Sequence, residues 1–245
     1  MRFLLIGCEV LLRELCDAIT RSAHTIDIEF LPKGLHDLGG KRMCARLQQA
    51  VDRADPAGHD AVLLGYALCG NGLAGLEARQ VRLVVPRAHD CIALLMGSRQ
   101  RYQEYFNANP GVYYRSTGWF ERGQSLEQAA MHETGVGTSL GDLIEKYGED
   151  NGRYLFEELH NYRNNYRKLT YIETGLETGA HFEDGSRVEA AERGWNFEKI
   201  QGDLTLFRRL AAGDWDASDF LVVEPGWRIA PSYDETVIRS ERIPS

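Results

Sequence analysis

Three cysteines of this chain follow short apolar runs, and a histidine stands two residues before one of them. Cys8 follows the run FLLIG, Cys69 follows DAVLLGYAL, and Cys91 follows RLVVP after a stretch that contains His89. Thiolates and imidazole nitrogens are the ligands that zinc prefers, and a catalytic zinc keeps three protein ligands and one open position. Cysteine thiolates also hold iron–sulfur clusters. These residue types favour a metal site, provided that the fold brings them together.

Two ligand sets are open at this level. Cys69, His89 and Cys91 would supply two thiolates and one imidazole to Zn²⁺. Alternatively, Cys8 joins Cys69 and Cys91 to hold an iron–sulfur cluster with one iron left open. Two further interpretations need no metal: the cysteines are small core residues, or Cys91 or Cys69 is a nucleophile. In the last case His89 or His36 would be its base.

The pattern of apolar runs predicts an α/β fold. Strands and helices alternate, with strands at 3–7, 26–32, 60–68 and 82–86 and helices at 11–22 and 44–54. This order predicts a mostly parallel, Rossmann-like sheet with helices on both faces. Ligands bind such sheets outside the carboxyl ends of the strands. If the first, third and fourth strands are neighbours, the three cysteines meet at that edge.

The rest of the chain predicts a helical insertion followed by a return to strands and helices. Two amphipathic helices are expected in the middle, with Tyr147 and Tyr154 among the residues on their more buried side. The last residues, RSERIPS, are expected to be flexible. The expected division is an α/β lobe at 1–97, the insertion at 98–168 and a second α/β lobe at 169–245. These parts form either two lobes or one continuous domain.

Polar residues at the same strand ends are candidates for the chemistry of the site. Lys33 and His36 follow the second strand and are candidates for proton transfer. Asp90 and Arg87 follow the fourth strand, and a guanidinium can clamp a carboxylate or a phosphate. We therefore take these four residues as the candidate catalytic groups.

A glycine-rich turn and a tryptophan are candidates for binding a cofactor. Cys69 begins the turn CGNG, in which the backbone N–H groups of Gly70, Asn71 and Gly72 could face an anion. The turn lacks the glycine spacing of a dinucleotide-binding loop, and no phosphate-binding lysine follows it. Trp119 is expected to form a wall of the site.

The stretches GYALCGNG, PRAHDCIALLMGSRQRY and YYRSTGWFE resemble a bacterial and archaeal family known as domain of unknown function 1638. The resemblance covers most of the chain, and the CGNG turn with the HDC-type stretch is fairly specific to it. The matching positions are Cys69, Gly70, Asn71, Gly72, Pro86, Arg87, Asp90, Cys91, Gly97, Ser98, Gly118 and Trp119. Arg115 and Ser116 depart from the more apolar pair Leu-Thr of the family. His89 is not among the matching positions, which favours the three-cysteine set.

The resemblance implies no established reaction. Members of such families often lie near genes for corrinoid-dependent methyl transfer, which suggests one-carbon chemistry. The arrangement of cysteines and histidine is similar in type to the zinc site of methylcobamide:thiol methyltransferases. We therefore expect a metal-dependent transferase with zinc or an iron–sulfur cluster, a small-molecule substrate, and a corrinoid or a methyltransferase protein as partner. The alternatives are a non-catalytic module that binds or delivers a cofactor or an anion, and a metal-free cysteine enzyme.

The composition limits which classes of binding partner and which cellular compartment are expected. The formal net charge of −8 over 245 residues gives no reason to expect binding to nucleic acid or to anionic lipid. No apolar stretch approaches the roughly 20 residues that cross a bilayer, and the start lacks the pattern of a signal peptide. Five cysteines, an odd number, argue against a disulfide framework. The expectation is a cytoplasmic protein with reduced thiols.

Overall fold

The computed structural model describes most of the chain. The described residues are 1–122, 140–161 and 166–243, without the side chains of 36–37, 146 and 157–161. Within them the chain forms three β-sheets, of which one is parallel and the largest is mostly parallel. The predicted α/β class is therefore confirmed.

The largest sheet contains the three strands that the cysteines were predicted to follow. Its members are β1 (Arg2–Cys8), β2 (Thr25–Leu31), β3 (Ala61–Gly65), β5 (Leu83–Pro86) and β9 (Phe220–Val223). Their order is β2-β1-β3-β5-β9, with the first four parallel and β9 antiparallel to β5. Every residue of β3 and β5 is buried, as expected for strands covered on both faces. Since β1, β3 and β5 are neighbours, the condition for bringing the cysteines together is met.

Helices connect and cover these strands. They are α1 (Leu12–Thr20), α2 (Gly40–Val51), α3 (Cys91–Leu95) and α4 (Arg99–Ala108), with short 3-10 helices at Glu9–Leu11 and Lys33–Leu38. Helix α2 buries Met43, Leu47, Ala50 and Val51. Residues with this spacing lie on one face of a helix. No helix in the described part of the chain is both long enough and apolar enough to span a membrane.

A second, fully parallel sheet has the strand order β6-β7-β8. Its strands are β6 (Val112–Ser116), β7 (Lys168–Glu173) and β8 (Asn196–Gln201). The remaining helices are α5 (Thr117–Arg122), α6 (Leu140–Tyr147), α7 (Glu149–Asn161), α8 (His181–Glu192) and α9 (Thr205–Ala212). Helix α9 returns to the first sheet, where it packs against α1.

The third sheet is small and antiparallel, and it includes part of the tail. It consists of β4 (Glu77–Ala78), β10 (Trp227–Pro231) and β11 (Ile238–Arg242), in the order β11-β10-β4. The prediction of a flexible tail is wrong for the residues of β11. The sequence of β11 is mostly polar, and its pairing with β10 depends on backbone hydrogen bonds. No apolar pattern therefore predicted this strand.

Several elements differ from the sequence prediction. Strand β6 lies in the stretch predicted as a helical insertion, and it pairs with β7 from the predicted second lobe. Strand β9 pairs with β5 of the first lobe. Strands therefore pair across the proposed division, which stays a prediction. Tyr147 and Tyr154 are exposed, so their expected place on the buried side of the helices is wrong.

The carboxyl ends of the two parallel sheets lie against each other. A Cβ atom added at Gly118, just after β6, would overlap the backbone carbonyl oxygen of Val10, just after β1. The backbone N–H of Asp203, after β8, donates to the carbonyl of Leu95 at 2.9 Å. The groups that follow the strands of both sheets therefore share one region of the molecule.

A buried carboxyl group also lies at this contact. Glu14 of α1 is 1% exposed, and its Oε1 accepts a hydrogen bond from the hydroxyl of Thr174, the residue after β7, at 3.3 Å. Burial, with a smaller contribution from the nearby Glu177, raises the pKa of Glu14 to about 7. Because the folded pKa exceeds the unfolded value, this group stabilises the fold fully below the unfolded pKa and loses that contribution as pH rises through about 7.

We expect Glu14→Gln to flatten the dependence of stability on pH. Between about pH 5 and about pH 8 the free energy of unfolding of the wild type should fall by roughly 2 to 3 kcal/mol more than that of the variant. This follows from about 1.36 kcal/mol per unit of pKa shift. Urea unfolding of both proteins at the two pH values measures this difference. Glu121 is the control, because the hydrogen bond that it accepts from Arg13 lowers its pKa. Glu121→Gln should therefore change the pH dependence of the free energy of unfolding in the opposite direction. If both variants change the pH dependence of stability equally, the raised pKa of Glu14 is contradicted.

Candidate functional site

Cys8 ends β1 and is buried at the edge of the sheet. The groups around its thiol include the backbone N–H of Val10, the side chains of Glu9 and Lys33, and the hydroxyl of Tyr66. Burial raises the pKa of the Cys8 thiol to about 11, against smaller lowering effects of the Val10 N–H and the Lys33 charge. The thiol is therefore neutral at physiological pH when no metal is bound.

Cys69 and Cys91 are brought together by two paired loops. The N–H of Leu68 donates to the carbonyl of Ala88 at 3.0 Å, and the N–H of Cys69 donates to the carbonyl of His89 at 2.9 Å. These bonds extend the β3–β5 pairing beyond the ends of the strands. The backbone N–H of Cys91 then acts as a hydrogen-bond donor to the Cys69 sulfur.

The three thiols influence one another electrostatically. Burial raises the pKa of Cys69 to about 12, and Cys8 and Asp90 add to that increase. Burial also raises the pKa of Cys91 well above its usual value, with contributions from Cys69, Asp90 and Cys8. We call Cys8, Cys69 and Cys91 the thiol cluster.

The backbone at Cys69 is held in a conformation that non-glycine residues rarely adopt. The φ angles of Cys69, Gly70 and Asn71 are 45°, 62° and 67°. A residue with a Cβ atom in this left-handed region costs about 1 kcal/mol. Gly72 closes the turn where a Cβ would overlap the sulfur of Met43. The CGNG turn is therefore a tight, strained connection that presents the Cys69 thiol to Cys91.

Asp90 links the thiol cluster to two tyrosines. Its Oδ1 accepts the N–H of Ala93 at 3.0 Å and caps α3, and its Oδ2 accepts the Tyr102 hydroxyl at 2.8 Å. The rings of Tyr102 and Tyr114 lie 6.5 Å apart. Burial and the Asp90 charge raise the pKa of Tyr114 to about 12, so both tyrosines stay protonated at neutral pH. Asp90 is thus fixed by two bonds beside Cys91.

Lys33 and Trp119 form a second pair at the tip of β1. Lys33 is 4% exposed, and its ammonium group lies 4.3 Å from the centroid of the Trp119 ring. Its backbone N–H donates to Oε1 of Glu9 at 2.9 Å. Its positive charge lowers the pKa of the Cys8 thiol. His36 belongs to the same 3-10 helix, but its side chain lies outside the described residues.

His89 and Arg87 occupy different surroundings. The His89 side chain is exposed. The Arg87 guanidinium donates to backbone carbonyls that precede β9 and β11, those of Ala217 at 2.9 Å and Thr236 at 3.2 Å. It also bonds the carbonyl of Ile238. Arg87 therefore ties the end of β5 to the C-terminal strands, and its role as an anion clamp stays a prediction.

Three buried hydroxyl groups belong to residues in or just after β3 and β6. They are those of Tyr66, Tyr114 and Ser116; the Tyr114 and Ser116 hydroxyls have no hydrogen-bond partner among the described residues, whereas the Tyr66 hydroxyl lies within reach of the Cys8 thiol. Buried polar groups are seldom left in this state. The sequence prediction missed all three. For Tyr66 the signal was a hydroxyl three residues before Cys69, at the end of an apolar run.

The described thiols are not arranged around a common point. Within residues 1–122, 140–161 and 166–243, taken without the undescribed side chains, no group of three or more His, Cys, Asp and Glu side chains is placed to hold a metal ion. All five cysteines are free thiols. Metal binding by the cluster would therefore require its side chains to rotate.

A comparison with protein families gives one match over most of the chain. The model of the family described as "Protein of unknown function (DUF1638)" matches residues 30–211. The match includes Cys69 and Cys91 and ends before β9. No curated protein and no solved structure matches the chain.

Proposed function

Because the chain belongs to the DUF1638 family, whose description names no reaction, we propose a function from the geometry of the site. The thiol cluster is the binding site of a soft metal, either a zinc ion with an open position or an iron–sulfur cluster with one open iron. The protein is an enzyme of the cytoplasm, where its free thiols stay reduced.

One observation carries this proposal: three thiols that follow three neighbouring strands, the buried Cys8 and the half-buried Cys69 and Cys91, influence each other's pKa. Their pKa values are raised by burial and by one another, so each thiol resists ionisation in the metal-free protein. A bound cation reverses this effect, because it offsets the charge of the thiolates and deprotonates them. The donor set therefore fits a metal that prefers sulfur.

The backbone at Cys69 argues against a purely structural role. A small core residue is placed most cheaply in relaxed backbone, and glycine tolerates the left-handed region without strain. Here a cysteine stands at φ 45°, at the start of the CGNG turn. Strained positions that persist are concentrated at functional sites. The strain at Cys69 supports the assignment of its thiol to the site.

The chemistry that we propose is group transfer at a bound thiol or water. When bound, the metal supplies Lewis acidity that lowers the pKa of such a ligand. Asp90 and the Tyr102 hydroxyl lie beside Cys91 and can hold or exchange a proton there. The transferred group in this proposal is a methyl group, and a corrinoid or a methyltransferase protein is the donor.

Metal content of protein purified without oxygen and without added metal tests the proposal. We expect close to one zinc ion in a colourless protein, or iron with broad visible absorbance. Replacing Cys8, Cys69 or Cys91 by Ser should abolish most of this content, because each change removes one of three thiolate ligands.

The two remaining cysteines are matched controls. Cys16 and Cys44 are half-buried in α1 and α2, so Cys16→Ser and Cys44→Ser should leave the metal content unchanged. A wild-type protein that binds neither zinc nor iron after anaerobic reconstitution would overturn the proposal. Equal losses in all five variants would assign the metal to another site and overturn it as well.

A further inference from the structure

A short segment after β7 is joined to α1 by two side-chain hydrogen bonds in the described part of the chain. The Arg13 guanidinium donates to the carbonyl of Leu176 at 3.1 Å, and the Thr174 hydroxyl lies 3.3 Å from Oε1 of Glu14. Glu14 is 1% exposed and Thr174 is 8% exposed, so the second contact is shielded from solvent. We call residues 174–177 the β7 segment. A charged guanidinium and a buried carboxyl group therefore hold this segment on α1.

The Thr174 hydroxyl stands between two carboxyl groups. Its oxygen lies 3.3 Å from Oε1 of Glu14 and 3.2 Å from Oε1 of Glu177, which also accepts the backbone N–H of Thr174 at 2.8 Å. A hydroxyl group has one proton, so it can donate to only one of the two carboxyl groups. The arrangement is satisfied when Glu14 is protonated, because its O–H then donates to Thr174 and the Thr174 hydroxyl donates to Glu177.

The second oxygen of Glu14 also lacks donors. Oε2 is buried and has no hydrogen-bond partner among the described residues. The backbone N–H of Glu14 itself also acts on the carboxyl group. A carboxylate has about four lone-pair sites, and burying its charge without enough donors is costly. The contact therefore favours the neutral form of Glu14.

The charged and titratable groups that act on Glu14 come from α1 and from the β7 segment. Burial, with a smaller contribution from the Glu177 charge, raises the pKa of Glu14 to about 7, against smaller lowering effects of Thr174 and Arg13. The Arg13 guanidinium donates to both carboxyl oxygens of Glu121, which balance its charge. The thiol of Cys16 is neutral, since burial and the Glu14 charge raise its pKa.

We propose that Glu14 is a proton-dependent latch between α1 and the β7 segment. The contact is closed while Glu14 carries a proton, and loss of that proton releases the segment from α1. Because the pKa of Glu14 is higher in the closed state than in the released state, the latch is fully closed below the released-state pKa and loosens as pH rises through about 7. The thiol cluster takes no part in this contact, so the latch does not depend on metal binding.

Hydrogen exchange at about pH 6 and about pH 8, measured on the intact protein, tests the proposal. With a pKa of about 7 when closed and about 4.5 when released, the ratio of released to closed protein should rise about tenfold between these two pH values. The protection of the Thr174 amide, corrected for the intrinsic effect of pH on exchange, should fall by that factor. Its protection should also be lower than that of β3, because the segment opens without global unfolding. Release of the segment only together with β3 would overturn the latch.

Two variants with different pH profiles separate the latch from a general loss of structure. Glu14→Gln keeps a neutral hydrogen-bond donor beside Thr174, so the protection should change by less than about twofold between the two pH values. Arg13→Met removes the other hydrogen bond to the segment, so it should lower the protection at both pH values while the change with pH persists. A tenfold change that persists in Glu14→Gln would overturn the proposal, as would a wild type without any change.

NMR titration of the side-chain carboxyl carbon of Glu14 follows the proton itself. We expect a midpoint near pH 7 for Glu14 in the wild type. Glu177→Gln should lower this midpoint, because it removes the facing negative charge and leaves the Thr174 hydroxyl free to donate to Glu14. A midpoint near 4.5, the ordinary value for Glu, would overturn the latch even if the variants alter hydrogen exchange.

Discussion

Alkylation of the metal-free protein near neutral pH is expected to be slow at all three cysteines of the thiol cluster. A rise of the Cys8 pKa from 9.0 to about 11 lowers its thiolate fraction about a hundredfold, since each unit is a factor of ten. For Cys69, with a pKa of about 12, the same reasoning gives about a thousandfold. Labelling with iodoacetamide, followed by mass spectrometry of the peptides, measures each rate in the native and in the urea-unfolded chain.

Cys16 and Cys44 provide the internal comparison in the same experiment. Burial raises their pKa values too, but by less than it raises those of Cys8 and Cys69. They should therefore react before the cluster does, and the rates at Cys8 and Cys69 should increase up to about pH 11 and 12. One cysteine of the cluster that reacts faster than in the unfolded chain would contradict the account. That result would favour the metal-free nucleophile instead.

Gly118→Ala is expected to be one of the most damaging single substitutions in the chain. The added Cβ would overlap the Val10 carbonyl oxygen and lie 2.7 Å from the carbonyl carbon, and backbone atoms cannot move aside as a flexible side chain can. The two sheets must separate at this point. We expect a loss of about 3 kcal/mol or more in the free energy of unfolding. Urea unfolding measures the loss.

A glycine in α8 is the control. At Gly185 in α8 the nearest atom to an added Cβ would be a ring carbon of Phe120 at 3.3 Å. Gly185→Ala should change the stability little, and the better helix propensity of alanine favours a small gain. Gly118→Ala should also alter Trp119 fluorescence, since it displaces the next residue from Lys33. Equal stability of the two variants would contradict the described contact between the strand ends.

The sequence was sufficient to predict the strands that the three cysteines follow. Apolar runs identified these strands, and the general rule for parallel sheets places their ends at one edge. The order β2-β1-β3-β5 meets the condition that β1, β3 and β5 are neighbours, whereas the metal site at their ends stays a prediction. The direction of β9 was not predictable in this way, because an apolar run of four residues, three of them buried, is compatible with either direction.

The two-residue spacing of His89 and Cys91 predicted the site less well than the pattern of strands did. Residues two apart share a face only while the chain continues as a strand, but Asp90 caps a helix that begins at Cys91. The chain therefore turns between the two residues, and the imidazole is exposed. The contribution of Tyr66 and Ser116 depends on how two sheets face each other. That is a long-range contact that no local pattern encodes.

X-ray absorption at the metal edge tests the central claim most directly, because it counts the sulfur atoms bound to the metal. For protein loaded with zinc, the account predicts three sulfur atoms at about 2.3 Å and one lighter ligand in the open position. Cys69→Ser should lose one sulfur, whereas Cys44→Ser should keep all three. A first shell made only of nitrogen and oxygen, or a sulfur count that does not change in Cys69→Ser, would contradict a metal site at the thiol cluster.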